Sequence, residues 1–152
     1  MPKYDKVVIT ETAQKHGFLT ASFEKMTRLM DVLRFINERN TLRDSLALKG
    51  GTAINLTIFN VPRLSVDIDL DFTNNLTRDE TKVIREKIGN LIETYMTAEG
   101  YYRNKKSKQT HILDSFVYSY TNIAENIDNI KIEINYSLRA HVLPYIEKTT
   151  LS

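Results

Sequence analysis

Apolar and polar residues alternate strictly over residues 64–72 of the chain. Aliphatic and aromatic residues hold every second position, and the positions between them carry one serine and three aspartates: Ser65, Asp67, Asp69 and Asp71. Successive side chains of a β-strand point to opposite faces of the sheet, so alternation of this length is typical of a half-buried strand. The pattern therefore predicts a strand with one apolar face and one acidic face.

Apolar residues that recur three and four positions apart predict an amphipathic helix in the first third of the chain. This helix begins at Thr20 or Ser22 and runs to about Arg39. It follows a polar segment in which Gly17 is a candidate helix stop.

A second amphipathic helix begins at Asn74 or Thr77, runs to about residue 98 and ends at Gly100. Its predicted apolar stripe consists of Val83, Ile84, Ile88, Leu91, Ile92, Tyr95 and Met96.

Four shorter segments complete the predicted elements. Residues 46–49 form a short apolar run that predicts a buried strand, and residues 52–59 predict a helix. Residues 111–120 and 130–137 are rich in β-forming residues and predict a hairpin across the turn-like segment AENIDN. In the second strand of this hairpin, the isoleucines at 130, 132 and 134 face one way, and Lys131, Glu133 and Asn135 face the other.

Three carboxylates in a row on one sheet face repel each other. A divalent cation such as Mg²⁺ would relieve that repulsion, because it binds carboxylate oxygens. Glu133 would supply a further ligand if its strand lies beside the acidic strand, and such a set suits two-metal phosphoryl or nucleotidyl transfer. The alternative is the solvated face of an edge strand, where acidic residues discourage aggregation.

A diglycine lies between the predicted strand at 46–49 and the predicted helix at 52–59. Gly50 and Gly51 would let a bulky anion approach the backbone, and the free N–H groups of the helix start would point at it. Thr52 could add a hydroxyl donor. Arg63 shares the face of Asp67 if the strand extends that far, where it could neutralise the acids or bind a triphosphate.

Composition narrows the choice of protein class. The chain has 152 residues, a net charge of +2 and no cysteine. This length suits one domain, the charge alone does not indicate nucleic-acid binding, and disulfides and thiolate chemistry are excluded. The N-terminal residues lack the apolar core of a signal peptide, and no apolar run approaches a membrane span, so we expect a cytoplasmic protein with no membrane partner.

One basic cluster stands out, YYRNKKSK at residues 101–108. Aromatic residues beside lysine and arginine suit stacking and phosphate contact with single-stranded RNA, and a solvated loop is the alternative. The three histidines, His16, His111 and His141, show no metal-ligand spacing and are expected to be surface or packing residues.

The segments KGGTAINL, RLSVDIDLDF and IKIEINY together resemble the AbiEii/AbiGii toxin family of bacterial nucleotidyltransferases, which includes the MenT toxins and belongs to the DNA polymerase β-like superfamily. The resemblance covers about residues 46–137. It implies an α/β (α+β) fold, with a mixed β-sheet and helices packed on one side. It also implies transfer of a nucleoside monophosphate (NMP) from an NTP, with Mg²⁺ (or Mn²⁺) as cofactor.

The resemblance also assigns roles to individual residues. Asp67, Asp69 and Glu133 match the metal-binding and catalytic acids, and Asp71 lies beyond this set as an accessory residue. The matching nucleotide-binding residues are Gly50, Gly51, Thr52, Arg63 and Ser65.

Partners follow from the same resemblance. The acceptor is expected to be RNA, since characterised relatives modify tRNA 3′ ends, and an antitoxin protein is an expected partner. Residues 1–152 are expected to form a single nucleotidyltransferase-like domain, without the helical C-terminal half that follows in relatives. A protein hydroxyl acceptor and a non-catalytic nucleotide- or RNA-binding module are the alternatives.

Overall fold

The computed structural model describes residues 4–48 and 67–136. This part of the chain forms four helices and six strands: α1 (Lys6–Lys15), α2 (Thr20–Glu38), α3 (Asn40–Ser45), β1 (Leu46–Leu48), β2 (Ile68–Phe72), α4 (Arg78–Ala98), β3 (Tyr102–Arg103), β4 (Lys108–Gln109), β5 (Leu113–Thr121) and β6 (Ile127–Asn135). The helix predicted at residues 52–59 lies outside the described residues. Among the described helices, none combines the length and apolar character needed to span a membrane.

The strands form one mixed sheet in the order β1-β2-β6-β5-β3, and β4 also pairs with β5. β2 and β6 run parallel, and the other pairs are antiparallel. The predicted α/β fold with a mixed sheet is therefore confirmed. β2 lies between β1 and β6, so its acidic face does not belong to an edge strand and the edge-strand explanation is wrong.

One face of the sheet and the apolar stripes of α2 and α4 form the core. β2 and β6 bury every second residue on this face, as their alternation predicts. The strand residues in the core include Ile68, Leu70, Phe72, Phe116, Tyr118, Tyr120, Ile130, Ile132 and Ile134, and the helices contribute Met26, Leu29, Val32, Phe35, Ile36, Ile88, Ile92 and Met96. The polar residues of β2 and β6 consequently share the opposite face, which we call the outer face.

The ends of α4 follow the predicted signals. The Thr77 side chain accepts a hydrogen bond from the Glu80 backbone N–H, and the Glu80 carboxylate accepts one from the Thr77 N–H at 3.0 Å. This capping box satisfies two backbone N–H groups that the helix itself leaves unpaired. Gly100 follows the helix with a φ of +94°, which favours glycine.

The N-terminal segment is more ordered than its polarity indicates. It forms α1, and the Asp5 side chain caps this helix by accepting a hydrogen bond from the Val8 N–H at 3.0 Å. Gly17, the predicted stop, has a φ of +75° just beyond the last turn.

Three sequence predictions about burial need correction. Val83, a member of the predicted apolar stripe of α4, is 70% exposed. In β1 (Leu46–Leu48), Leu46 is buried, Leu48 is partly buried and Ala47 is exposed, so the described part of residues 46–49 is not the buried strand that the sequence predicts. Tyr101 is 4% exposed, and its hydroxyl accepts a hydrogen bond from Arg28 Nη1 at 3.0 Å. A buried guanidinium needs such partners, so Tyr101 belongs to the core and not to a solvated basic loop.

Candidate active site

Two of the predicted catalytic acids lie side by side on the outer face. β2 and β6 pair in parallel with Asp69 opposite Glu133. Directly paired residues project from the same face of a sheet, and the carboxyl groups of Asp69 and Glu133 are in hydrogen-bonding contact. Asp67, the third predicted acid, immediately precedes β2 and is exposed. The structure therefore confirms that the strand of Glu133 lies beside the acidic strand, the condition on which the predicted site depends.

Two residues that sequence reasoning did not assign to the site also contact Glu133. The Lys131 Nζ lies 3.0 Å from Glu133 Oε2, and the Ser115 hydroxyl donates a hydrogen bond to the same oxygen at 3.4 Å. Lys131 could have been found from the sequence, because it lies two residues before Glu133 on the same face of a strand. Ser115 could not, because its position depends on the β5–β6 register.

The charges of this cluster act on each other. Loss of hydration raises the pKa of Asp67, Lys131 opposes this shift, and the nearby charges of Asp69 and Glu133 add to it. Loss of hydration also acts to raise the pKa of Glu133. The hydrogen bond and positive charge of Lys131, together with hydrogen bonds from Asp69 and Ser115, outweigh this effect, so the pKa of Glu133 is lowered. The hydrogen bond to Glu133 in turn raises the pKa of Lys131. The ammonium group thus partly compensates the concentrated negative charge.

The donor set has the chemistry that Mg²⁺ and Mn²⁺ prefer, since its charged ligands are carboxylate oxygens. Within the described ranges, however, no three histidine, aspartate or glutamate side chains converge into a group that could hold a metal ion. Asp69 and Glu133 form a contacting pair, and Asp67 lies near enough to interact with both. Asp71 follows Asp69 by two residues along β2. Its Oδ1 atom is buried and has no hydrogen-bond partner among the described residues.

The structure does not describe the five predicted nucleotide-binding residues. Gly50, Gly51, Thr52, Arg63 and Ser65 lie outside the described residues. The structure therefore places Asp69 beside Glu133, with Asp67 close enough for its charge to interact with both. The metal-binding and nucleotide-binding roles of all eight residues stay predictions.

The comparison with family models gives one match. Residues 32–151 match the model described as nucleotidyl transferase AbiEii toxin, type IV TA system. The chain belongs to the AbiEii family. This assignment confirms the resemblance inferred from the sequence motifs, and the matched range includes both strands of the acidic site in the AbiEii chain.

No curated protein and no solved structure gave a significant match to the AbiEii chain. Its family is one of nucleotidyl transferases that are toxins of type IV toxin–antitoxin systems. Membership supports transferase activity and implies an antitoxin partner.

Proposed function

We propose that this AbiEii chain transfers an NMP from an NTP to an acceptor and that Asp67, Asp69 and Glu133 bind the divalent cations that this reaction needs. The observation that carries the proposal is the contact between Asp69 and Glu133 on neighbouring parallel strands. Two carboxylates in contact repel each other when both are ionised, so the pair favours a shared proton or a cation. The proposed reaction uses an NTP, whose triphosphate is bound through hard divalent cations. Mg²⁺ or Mn²⁺ is therefore the cation that suits both the carboxylates and the substrate.

Each acid has a distinct position in this proposal. Asp69 and Glu133 would supply oxygen ligands from within two paired strands, where backbone pairing holds them in register. Asp67 is exposed at the start of β2, so its carboxyl group can rotate towards the pair and complete the set. A bound divalent ion would neutralise triphosphate charge and favour ionisation of the attacking hydroxyl.

The reaction itself is a substitution at phosphorus. The acceptor oxygen forms a bond to the α-phosphorus of the NTP, the bond from that phosphorus to the β-phosphate breaks, and pyrophosphate leaves while the acceptor hydroxyl loses its proton. In this scheme Gly50, Gly51 and Thr52 hold the phosphates through backbone N–H groups and a hydroxyl, and Arg63 and Ser65 lie beside the nucleotide. These roles rest on the family motif and on the family match, which spans all five positions.

RNA, in particular tRNA, is the acceptor class that we propose, and an antitoxin encoded by the same system would neutralise the activity. The test incubates the protein with each α-³²P-labelled NTP in turn, Mg²⁺ or Mn²⁺, and either tRNA or protein as acceptor. Labelled tRNA is the expected product. Label on protein alone would replace the RNA acceptor by a protein one, and nucleotide binding without any transfer would favour a non-catalytic module.

Variants connect the activity to the site. Asp69→Asn and Glu133→Gln should abolish labelling, because each removes a charged oxygen ligand while keeping the size of the side chain. Asp79→Asn and Glu86→Gln make the same chemical changes at exposed positions of α4 and should retain activity. Labelling that persists in both site variants would exclude this site.

A further inference from the structure

Exposed aromatic and basic side chains lie along one margin of the sheet, on the same face as the acidic site. We call Tyr102, Lys105, Lys106 and Lys108 the basic edge. These residues lie on β3, on β4 and in the turn between them, and both strands pair with β5. All four residues are exposed, and Tyr102 retains 51% of its accessible surface.

The strand registers place the basic edge on the outer face. Asp69 pairs with Glu133, Glu133 with Ser115, and Ser115 with Lys108, so these four residues form one row across four strands. Neighbouring strands lie about 4.8 Å apart, which places Lys108 about 10 Å from Glu133 and about 14 Å from Asp69 along the sheet. A second row on the same face runs from Asn129 through Ser119 to Tyr102.

The turn within the basic edge is fixed to β5 by its own polar side chains. Asn104 Nδ2 donates a hydrogen bond to Ser119 Oγ at 2.9 Å, and the Ser107 hydroxyl bonds to both the N–H and the carbonyl of Val117, at 2.8 and 3.0 Å. Asn104 Oδ1 also accepts a hydrogen bond from the Lys106 N–H at 2.8 Å. The lysines around this turn are therefore presented from a fixed backbone.

The charges of the basic edge are available to a ligand. Lys105, Lys106 and Lys108 form no ion pair with any described residue, unlike Arg103, which lies over the Phe116 ring and near Glu93. Free ammonium groups bind phosphates, and an exposed aromatic ring stacks on unpaired bases. A polyanion would be repelled by the acids of the site, so a basic margin within reach of them would compensate that repulsion.

We infer that the basic edge binds the single-stranded part of an RNA acceptor and directs it along the outer face to the acidic site. That RNA is the ligand and the acids its destination rests on the proposed function. The positions of the basic edge and the acids on one face rest on the strand registers. The three lysines contact phosphates, and Tyr102 stacks on a base. RNA held there lies on the same face of the sheet as the acids.

The test measures binding of a 5′-fluorescein-labelled single-stranded RNA by fluorescence anisotropy, in EDTA and without NTP, so that catalysis plays no part. The variant Lys105→Gln/Lys106→Gln/Lys108→Gln should bind more weakly. It should also reduce the slope of log affinity against log salt concentration by about 2, since each lost phosphate contact on a single strand contributes about 0.7. Tyr102→Leu should weaken binding about fivefold or more and leave the salt slope unchanged.

A matched control removes three lysines elsewhere. Lys6, Lys82 and Lys87 are exposed on α1 and α4, and the variant with all three changed to glutamine has the same net charge as the basic-edge variant. It should retain the wild-type salt slope. Circular dichroism of each variant establishes that the fold is intact.

Other outcomes separate this inference from the proposed function. No RNA binding by the wild-type chain, or equal effects of the two triple variants, would overturn the inference. Transfer to tRNA with an unchanged KM in the basic-edge variant would overturn it while the proposed function stands. Loss of RNA binding in that variant, with no transfer by the wild-type chain to any acceptor, would support the binding surface and count against the proposed function.

Discussion

Removal of the ammonium group at residue 131 should strengthen metal binding. Lys131 Nζ lies 3.0 Å from Glu133 Oε2, so a cation that binds Glu133 has to displace it or bind beside it. Lys131→Met removes the competing ion pair and also a positive charge that repels the incoming cation. Both effects act in the same direction, so the variant should bind Mn²⁺ more tightly than the wild-type chain.

The size of the change follows from the exposure of the pair. The side chains of Lys131 and Glu133 are 39% and 28% exposed, which makes this an ion pair near the surface and not a buried one. Such pairs contribute about 0.2–1 kcal/mol, so the competition alone predicts a decrease in the dissociation constant of roughly 1.4- to 5-fold.

Free Mn²⁺ measured by electron paramagnetic resonance during a titration gives the dissociation constant directly. Lys131→Arg keeps the charge and should bind Mn²⁺ about as weakly as the wild-type chain. Lys87→Met removes a charge from an exposed position of α4 and should change nothing. Weaker Mn²⁺ binding by Lys131→Met would refute the reasoning, because it would mean that Lys131 supports the ligand set and does not compete with it.

Three further predictions concern stability. Arg85→Met leaves the buried Asp114 carboxylate without the guanidinium that contacts both of its oxygens, so urea denaturation should show a loss of about 3–5 kcal/mol. Ile88→Ala removes a fully buried side chain of α4 and should cost about 2–5 kcal/mol in the same assay. Hydrogen bonding to the Thr77 backbone lowers the pKa of Glu80 below its ordinary value of 4.5, so its stabilising effect is present above that pH and is lost as the pH falls through the lower folded-state pKa. Melting temperatures of the wild-type chain and Glu80→Gln should therefore converge on acidification.

The strand patterns were predictable because they depend on local geometry. Alternation with a period of two specifies which side chains share a face, whatever the strand pairs with. It correctly separated Asp69 and Glu133 from the buried residues around them. The sequence left open which strands are neighbours, and only the parallel β2–β6 pairing brings the two acids into contact.

Two of the errors of burial have different causes, helix periodicity for Val83 and long-range packing for Tyr101. In an α-helix of 3.6 residues per turn, Val83 lies about 140° around the axis from Ile88, so it points away from the core that holds the rest of the stripe. Tyr101 was grouped with a basic loop by its sequence neighbours. Its place in the core depends on the buried Arg28 and Glu24, which are more than 70 positions earlier in the chain and whose contact no local pattern could indicate.

The central claim is that Asp69 and Glu133 act as one cation-binding unit, and a double-mutant cycle on Mn²⁺ affinity tests it most directly. The cycle compares the wild-type chain, Asp69→Asn, Glu133→Gln and the double variant by the same titration. Each single change should weaken Mn²⁺ binding, and the effects should be non-additive by about 0.5 kcal/mol or more, as for residues in contact that share one ligand. Additive effects, or Mn²⁺ binding unchanged by either single substitution, would contradict the account.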